Sequence, residues 1–232
     1  MRRLFCLFAA LTLILVVTPA ASATPDLEDD IEDSIVAGLA WLADQQNEDG
    51  FFTYECDAVG QTGLVILKFE DRALDLGLDP LSPDYDYHYV VQKGLDFIVA
   101  NHKTEVIGLQ EAGDPDGDGD GIGVYWEDFC DPDWERHQIY NPGIAMMALS
   151  ASQHPEIYGD LVQDAVDFMA WAQEDDSCGV HRGGWRYEPN QCSSDNSTSG
   201  YATLGLGFAG APPPFGFGIT APDFVYDELD LW

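Results

Sequence analysis

The fold is decided by residues 183–208, GGWRYEPNQCSSDNSTSGYATLGLGF, together with the run 161–173 that precedes them. The preceding run has apolar residues at helical spacing, and the glycines that follow it are typical of a helix end. A second apolar helix is predicted to open at Gly200. A helix, a Gly-Gly-aromatic loop, a polar bridge and a second helix together make one helical hairpin.

The same hairpin recurs along the chain. VQDAVDFM at 162–169 matches VQKGLDFI at 91–98 and, more loosely, IVAGLAWL at 35–42. The second helices align on a glycine in three segments, QTGLVIL (61–67), NPGIAMM (141–147) and TSGYATL (198–204). The sequence therefore predicts an all-α domain over 24–232 with about three and a half hairpins, at 31–70, 88–152, 160–210 and 223–232. We expect the given chain to end inside the fourth.

Residues 1–23 have the three parts of a secretory signal peptide. They contain Arg2 and Arg3, an apolar run at 4–17 and an Ala-Ser-Ala cleavage site at 21–23. The apolar run is short for a membrane span of about 20 residues, so we expect cleavage and no stable span afterwards. This predicts a secreted, extracellular or cell-surface protein, exported by either the general or the twin-arginine route.

The formal net charge of −33 excludes two classes of partner. Nucleic acid and anionic membranes are bound through Lys and Arg, of which the chain has only 9 against 42 acidic residues. We therefore expect no nucleic-acid partner. Such acidity suits divalent cations, a high-salt habitat, or both.

Four cysteines follow the signal: Cys56, Cys130, Cys178 and Cys192. An even count in an exported chain favours disulfides, and four cysteines allow three pairings. Cys178 and Cys192 flank the third loop and are expected to form a local bridge, which would leave Cys56 with Cys130. A zinc site at Cys178, His181 and Cys192 is the rival interpretation. No fourth ligand presents itself, so no zinc is expected.

The second repeat carries an acidic insertion at 111–128. Its core, DGDGDGIGVYWE at 116–127, fits the calcium-loop pattern of an EF-hand. The pattern assigns the metal to the carboxylates of Asp116, Asp118, Asp120 and Glu127 and to the carbonyl of Ile122, with Asp114 as an additional candidate. Gly123 replaces the usual apolar residue and no exit helix follows. We predict a calcium-binding loop outside an EF-hand domain; the alternative is a solvated acidic loop.

Aromatic residues gather in or near the loops between helices. Stacked hairpins place corresponding loops at one end of the assembly, where such residues would line a ligand pocket. The alternative is that they pack one loop against the next. The candidates for the pocket are Trp126, Trp134, Trp185, Tyr187 and Tyr201, with Tyr140 beside them.

The hairpins resemble the α/α-toroid repeats of the prenyltransferase and squalene or oxidosqualene cyclase superfamily. The most specific likeness is Gly-Gly-Trp at 183–185 followed by DNSTSGYATLGL at 195–206. It is similar to the GG-aromatic loop and the D-x-x-H-T-C-Y-x-L-x-G-L run of protein prenyltransferase β-subunits. The resemblance implies a partial ring of hairpins.

The family's catalytic motifs are not matched. Thr198 stands where the prenyltransferase run has a zinc-binding histidine, although Asp195 matches the family's aspartate. No D-x-D-D acid motif of the cyclases follows a first helix, and Cys178 does not begin the Cys-Gly-Glu-Gln motif of thioester relatives. We therefore assign no catalytic residue.

Two classes of function follow. The first is a non-catalytic exported toroid module that binds a partner protein, a glycan or an apolar ligand at its loop end, with calcium ordering the insertion. The alternative is a secreted terpenoid-cyclase or prenyltransferase-like enzyme whose catalytic acid lies in repeats beyond Trp232. A glycan-degrading α/α barrel, which would need two facing carboxylates, is a third option.

The segment at 205–217, GLGFAGAPPPFGF, is apolar. End units of stacked repeats normally carry polar caps. We expect this edge to be uncapped and to support self-association.

Overall fold

A computed structural model describes residues 25–53, 57–127 and 136–232. The described chain is mainly helical, which confirms the predicted helical class. Each segment aligned above between repeats lies in a helix. The helices are α1 Pro25–Gln45, α2 Ala58–Asp75, α3 His88–Ala100, α4 Tyr140–Ala151, α5 Pro155–Trp171, α6 Asn196–Gly210 and α7 Asp223–Leu229, with a 3-10 helix at Asp176–His181.

The chain divides into two compact units, Met1–Gly38 and Leu39–Trp232. The described part of the first unit is the N-terminal part of α1, in which Ile31 and Ile35 are exposed. The second unit holds the remaining elements. No helix in the described ranges is both long enough and apolar enough to cross a bilayer.

Helix α4 lies between α2 and α6 in the second unit. Glycines allow the three helices to approach closely. A Cβ atom on Gly143 would stand 2.5 Å from the carbonyl oxygen of Tyr201, and one on Gly63 would stand 2.6 Å from Cγ2 of Ile144. These two glycines are the aligned glycines of the second helices α2 and α4. At both positions, packing against the next helix requires a residue without a side chain.

A small sheet interrupts the predicted all-α domain. Strands β1, Lys103–Val106, and β2, Ile122–Tyr125, are antiparallel, with Lys103 opposite Tyr125 and Val106 opposite Ile122. The acidic insertion is thus the loop of a β-hairpin. Strand β2 packs against α5 because Gly123 has no side chain: a Cβ atom there would stand 3.0 Å from Cβ of Phe168.

The turns that follow α1 and α5 make the same pair of contacts. Gln46 donates to the carbonyl oxygens of Gly50, at 2.8 Å, and Val90, at 2.9 Å. Gln173 donates to those of Gly183, at 2.9 Å, and Val225, at 3.0 Å. Val90 lies in α3 and Val225 in α7, so each glutamine joins one turn to a helix further along the chain.

The apolar edge at 205–217 is hydrogen-bonded to the end of α6 and remains partly exposed. The backbone N–H groups of Phe217 and Ile219 both donate to the carbonyl oxygen of Ala209, and that of Gly218 donates to Ala211. Phe217 packs against the core, whereas Phe215 is exposed. The segment folds back over the end of α6 and satisfies the carbonyl oxygen of Ala209, which the composition alone did not indicate. Self-association remains a prediction.

Candidate metal centre

The acidic loop between β1 and β2 is folded around its own carboxylates. Asp116 accepts hydrogen bonds from the backbone N–H groups of Gly119, at 2.7 Å, and Gly121, at 2.9 Å. Asp118 and Asp120 each accept one from the residue two positions later. Gly119 and Gly121 have φ angles of +88° and +79°, which glycine adopts without steric cost. The alternation of Asp and Gly therefore builds a tight turn with its carboxylates gathered.

Helix α5 brings two further carboxylates to this loop. Asp164 and Asp167 are three residues apart, so they share one face of the helix. The packing of β2 on α5 places that face beside the loop. One carboxylate oxygen each of Asp116, Asp118 and Asp167 lie within 4.8 Å of one another, and the same holds for Asp118, Asp120 and Asp164. Asp118 belongs to both groups.

Asp167 is the distinctive member of the cluster because it is fully buried, at 0% exposure. Its Oδ1 accepts a 2.8 Å hydrogen bond from Nε2 of Gln163. Its Oδ2 is buried and has no hydrogen-bond partner among the described residues. A buried carboxylate oxygen without a partner is costly, and a bound cation would satisfy it.

The loop approaches Asp167 through a glycine. A Cβ atom on Gly117 would stand 2.7 Å from Nε2 of Gln163 and 3.0 Å from Oδ1 of Asp167. The backbone N–H of Gly117 also donates a hydrogen bond to Asp167. The calcium-loop pattern allows any residue at this position. The tertiary contact with α5, and not the loop pattern, therefore requires glycine here.

Burial and mutual repulsion raise the pKa of two carboxyl groups in the cluster. Burial, followed by the charges of Asp118 and Asp116, raises the pKa of Asp167 to about 7. Burial and the charges of Asp120, Asp118 and Asp160 raise the pKa of Asp164 to about 6. A divalent cation would reverse both shifts because it favours the ionised forms.

The oxygen-only donor set matches a hard cation. Calcium takes six to eight oxygen ligands at about 2.3–2.6 Å and tolerates irregular geometry. Two sets of three carboxylate oxygens are gathered here, and loop carbonyls and water can complete a shell around an ion. One set comes from Asp116, Asp118 and Asp167, and the other from Asp118, Asp120 and Asp164.

One predicted ligand, Glu127, lies away from the cluster, whereas Ile122 directly follows the loop. Glu127 contacts Lys103 of β1, accepts a 2.8 Å hydrogen bond from Gln138 and lies 3.7 Å from Arg136. In an EF-hand the exit helix turns the last glutamate back to the metal, but here four extended residues carry it roughly 13 Å along the sheet. Ile122 begins β2, and its N–H donates to Oδ1 of Asp120. The carboxylates of Asp164 and Asp167 on α5, and not that of Glu127, therefore lie beside the loop carboxylates.

Sequence reasoning missed Asp164 and Asp167, although a signal was present. Asp160, Asp164 and Asp167 recur at helical spacing on α5. Acidic stripes of this kind usually face solvent. Only the contact between β2 and α5 distinguishes this one.

Two of the five candidates for the predicted aromatic pocket lie in the core. Trp126 and Trp185 are both fully buried. The indole N–H of Trp126 donates to the carbonyl oxygen of Ile98 at 2.7 Å, and that of Trp185 donates to Met169 at 2.9 Å. The ring of Trp126 packs against the C-terminal end of α3 and that of Trp185 against the C-terminal end of α5, so neither lines a pocket. Trp134 lies outside the described residues.

Tyr187 and Tyr201 do come together, with Tyr140 and His137. Tyr140 stacks on Tyr187 with ring centroids 5.7 Å apart and lies 5.1 Å from Tyr201. His137 lies 5.2 Å from Tyr187, and the guanidinium of Arg186 lies 4.2 Å above that ring. The three tyrosines are half-buried, so they form a partly exposed aromatic surface at the loop end.

Cys178 and Cys192 are joined in a disulfide. Their sulfurs are therefore not the thiolates that a zinc site would need, and Nδ1 of His181 accepts a 3.1 Å hydrogen bond from the backbone of Ser194. Glu174 lies beneath the bridge and accepts a 2.8 Å hydrogen bond from the N–H of Cys192. Cys56 and Cys130 lie outside the described residues.

Asp195, the residue matched to the prenyltransferase aspartate, caps helix α6. Its carboxylate accepts hydrogen bonds from the N–H of Thr198, at 2.9 Å, and the hydroxyl of Ser197, at 2.8 Å, and it pairs with Arg186. Thr198 is fully buried behind it. This arrangement stabilises a helix N-terminus.

Comparison of the chain with models of protein families, with curated proteins and with solved structures found no match in any of the three.

Proposed function

We propose that this protein is an exported, calcium-stabilised module of helical hairpins that binds a partner protein, a glycan or an apolar ligand and does not catalyse a reaction. Calcium would bind between the acidic loop and α5. It would fix the β-hairpin to the helical layer and so hold the loop end in one conformation.

The observation that carries the proposal is the buried, unpartnered Oδ2 of Asp167 beside the loop carboxylates. An acidic cluster on a surface needs no ion, because water solvates each charge. Asp167 has no such solvation, and Asp116 and Asp118 lie close enough to repel its charge. A cation removes both costs at once.

The toroid arrangement is the second part of the proposal. It is supported by contacts that recur at aligned positions: Gln46 and Gln173 each bond a later helix, and Trp126 and Trp185 each bond the aligned carbonyls of Ile98 and Met169. Repeat proteins are stabilised by such contacts between neighbouring units. A partial α/α toroid in the manner of the prenyltransferase and cyclase superfamily accounts for them.

The tyrosine surface at the loop end is our assignment for partner or ligand binding. Tyr140, Tyr187 and Tyr201 are half-buried and mutually packed, so they present flat rings without losing much side-chain freedom on binding. A sugar or an apolar partner segment would stack on such rings.

The test is calcium titration by calorimetry on the wild type and on two matched variants. We expect saturable binding to the wild type. Asp118→Asn should abolish it, because Asp118 belongs to both acid groups, whereas Glu127→Gln should preserve it. Calcium at about one hundred times its dissociation constant should raise the free energy of unfolding by about 2.7 kcal/mol. The proposal is wrong if calcium produces no saturable heat, or if Asp118→Asn leaves binding intact.

A further inference from the structure

The N-terminal part of α1 carries a row of exposed apolar side chains. Leu27, Ile31 and Ile35 are 54%, 52% and 41% exposed. They are spaced by four residues, so they lie along one face of the helix. Apolar stripes of this kind usually face a core, whereas the side chains of residues 27–38 are all exposed. Single exposed apolar residues are ordinary, but a row of them is typical of a surface that binds another molecule.

Acidic side chains border this row on both sides. At the angular spacing of an α-helix, Glu28 and Glu32 lie beside the row on one side, and Asp30 lies on the other. Asp29 and Asp33 lie on the opposite face. The helix macrodipole favours acids in the first turn of a helix. It does not account for an apolar row between two acidic borders.

The apolar row and its acidic borders define the chemistry of a partner. A second helix packs along such a row when it has an apolar stripe of its own. The acidic borders require Lys or Arg on both sides of that stripe, because flanking charges select the partner in pairs of helices. A second copy of α1 does not meet this requirement. Helix α1 contains no Lys or Arg, so the acids of two copies would face one another.

We propose that the face of α1 formed by Leu27, Ile31 and Ile35 docks an amphipathic helix of a partner protein, with Lys and Arg flanking the apolar stripe of that helix. No residue of this face belongs to the calcium centre or to the tyrosine surface. The inference therefore goes beyond the proposed function and stands or falls separately. Docking would also stabilise the exposed part of α1, since an isolated helix of about a dozen residues is marginal in water.

The probe is a fluorescein-labelled peptide of roughly 18 residues, with Leu at helical spacing along one face and Lys at the other positions. Its anisotropy should rise saturably when the protein is added at about 0.15 M salt, where long-range attraction to the acidic protein is screened. A peptide of the same composition, with its Leu residues scattered around the helix, should bind at least about tenfold more weakly. Equal affinity for the two peptides would show that charge alone drives binding and would overturn the proposal.

Two double variants with the same change in net charge locate the binding face. Glu28→Gln with Glu32→Gln removes two charges that border the apolar row and should weaken binding of the helical peptide by about fivefold. Asp29→Asn with Asp33→Asn removes two charges from the opposite face and should weaken it by less than about twofold. Equal losses in the two variants would contradict the assignment of the face.

A third double variant tests the apolar row itself. Ile31→Gln with Ile35→Gln should weaken binding at least about tenfold, because it removes two apolar contacts and keeps a high helix propensity. The helical circular dichroism of all three variants should match the wild type. An affinity unchanged by this variant would overturn the proposal. So would a wild-type dimer, detected by sedimentation equilibrium, that this variant dissociates, because a second copy would then occupy the face.

Discussion

Gly183 lies against the backbone of Glu228, such that a Cβ atom on Gly183 would stand 2.0 Å from the carbonyl oxygen of Glu228. Gly183 also has a φ angle of +81°. Gly50 and Lys93 stand in the same relationship, with a Cβ separation of 2.3 Å. A turn that follows a first helix thus contacts α7 in one case and α3 in the other, through a position where only glycine fits.

Gly183→Ala is therefore expected to lower the free energy of unfolding by more than the backbone strain of a positive φ angle would by itself. Gly77→Ala is the matched control, since Gly77 has a φ angle of +69° but open space around it. The control should cost about 1–3 kcal/mol, the cost of a strained backbone conformation. Gly183→Ala should exceed it because the backbone of α7 must also move. Urea unfolding of the two variants measures the difference, and equal losses would show that the contact carries no energy.

The buried tryptophans give a second prediction. Trp126→Phe removes the donor to the carbonyl oxygen of Ile98 and leaves that oxygen buried, so it should cost about 1–3 kcal/mol of unfolding free energy. Trp41→Phe should change it by less than about 0.5 kcal/mol, because Trp41 is 62% exposed. A loss no larger at Trp126 than at Trp41 would contradict a stabilising role for this hydrogen bond.

The disulfide should stabilise the third loop. Cys178 and Cys192 are 14 residues apart in sequence, and closing a loop of this length stabilises the folded state by about 3 kcal/mol. The double variant Cys178→Ser, Cys192→Ser should lose roughly that amount. Reducing agent should destabilise the wild type and leave the double variant unchanged. A wild type insensitive to reduction would count against the bridge.

Stability without calcium should depend on pH through Asp167. Its pKa is raised to about 7 in the folded state, so the folded state holds a proton that the unfolded chain loses near pH 4. The contribution of Asp167 to stability is full below about pH 4 and is lost as the pH rises to about 7. Asp167→Asn should therefore show a smaller fall in unfolding free energy over this window. Identical pH profiles would exclude the raised pKa.

The helical class was predictable because helix periodicity and aligned glycines are local properties of the sequence. Residues 91–98, 162–169 and 198–204 all lie in helices. The β-hairpin was not predictable in the same way. Strand β1 is a short, fully exposed segment without a buried face to reveal it. Its partner β2 lies inside the stretch that the calcium-loop pattern treats as a single loop.

Of the candidate metal centre, the acidic loop could be identified from the sequence and the carboxylates of α5 could not. Asp116, Asp118 and Asp120 follow a spacing that local backbone geometry explains. Asp164 and Asp167 lie beside them only because β2 packs against α5, where Gly123 contacts Phe168. The spacing of residues within the loop does not indicate this contact. The burial of two aromatic candidates, Trp126 and Trp185, was not predictable for a related reason, since it depends on helices distant in sequence.

The most direct test of the account is a calcium titration of the wild type and Asp167→Asn at pH 7, each in two buffers of different ionisation enthalpy. We predict that the wild type releases protons as calcium binds, because the pKa of Asp167 is about 7 before the ion arrives. Asp167→Asn should bind at least about tenfold more weakly, in line with the loss of one charged ligand, and should release fewer protons. Equal affinity and equal proton release in the two proteins would contradict the proposed calcium centre.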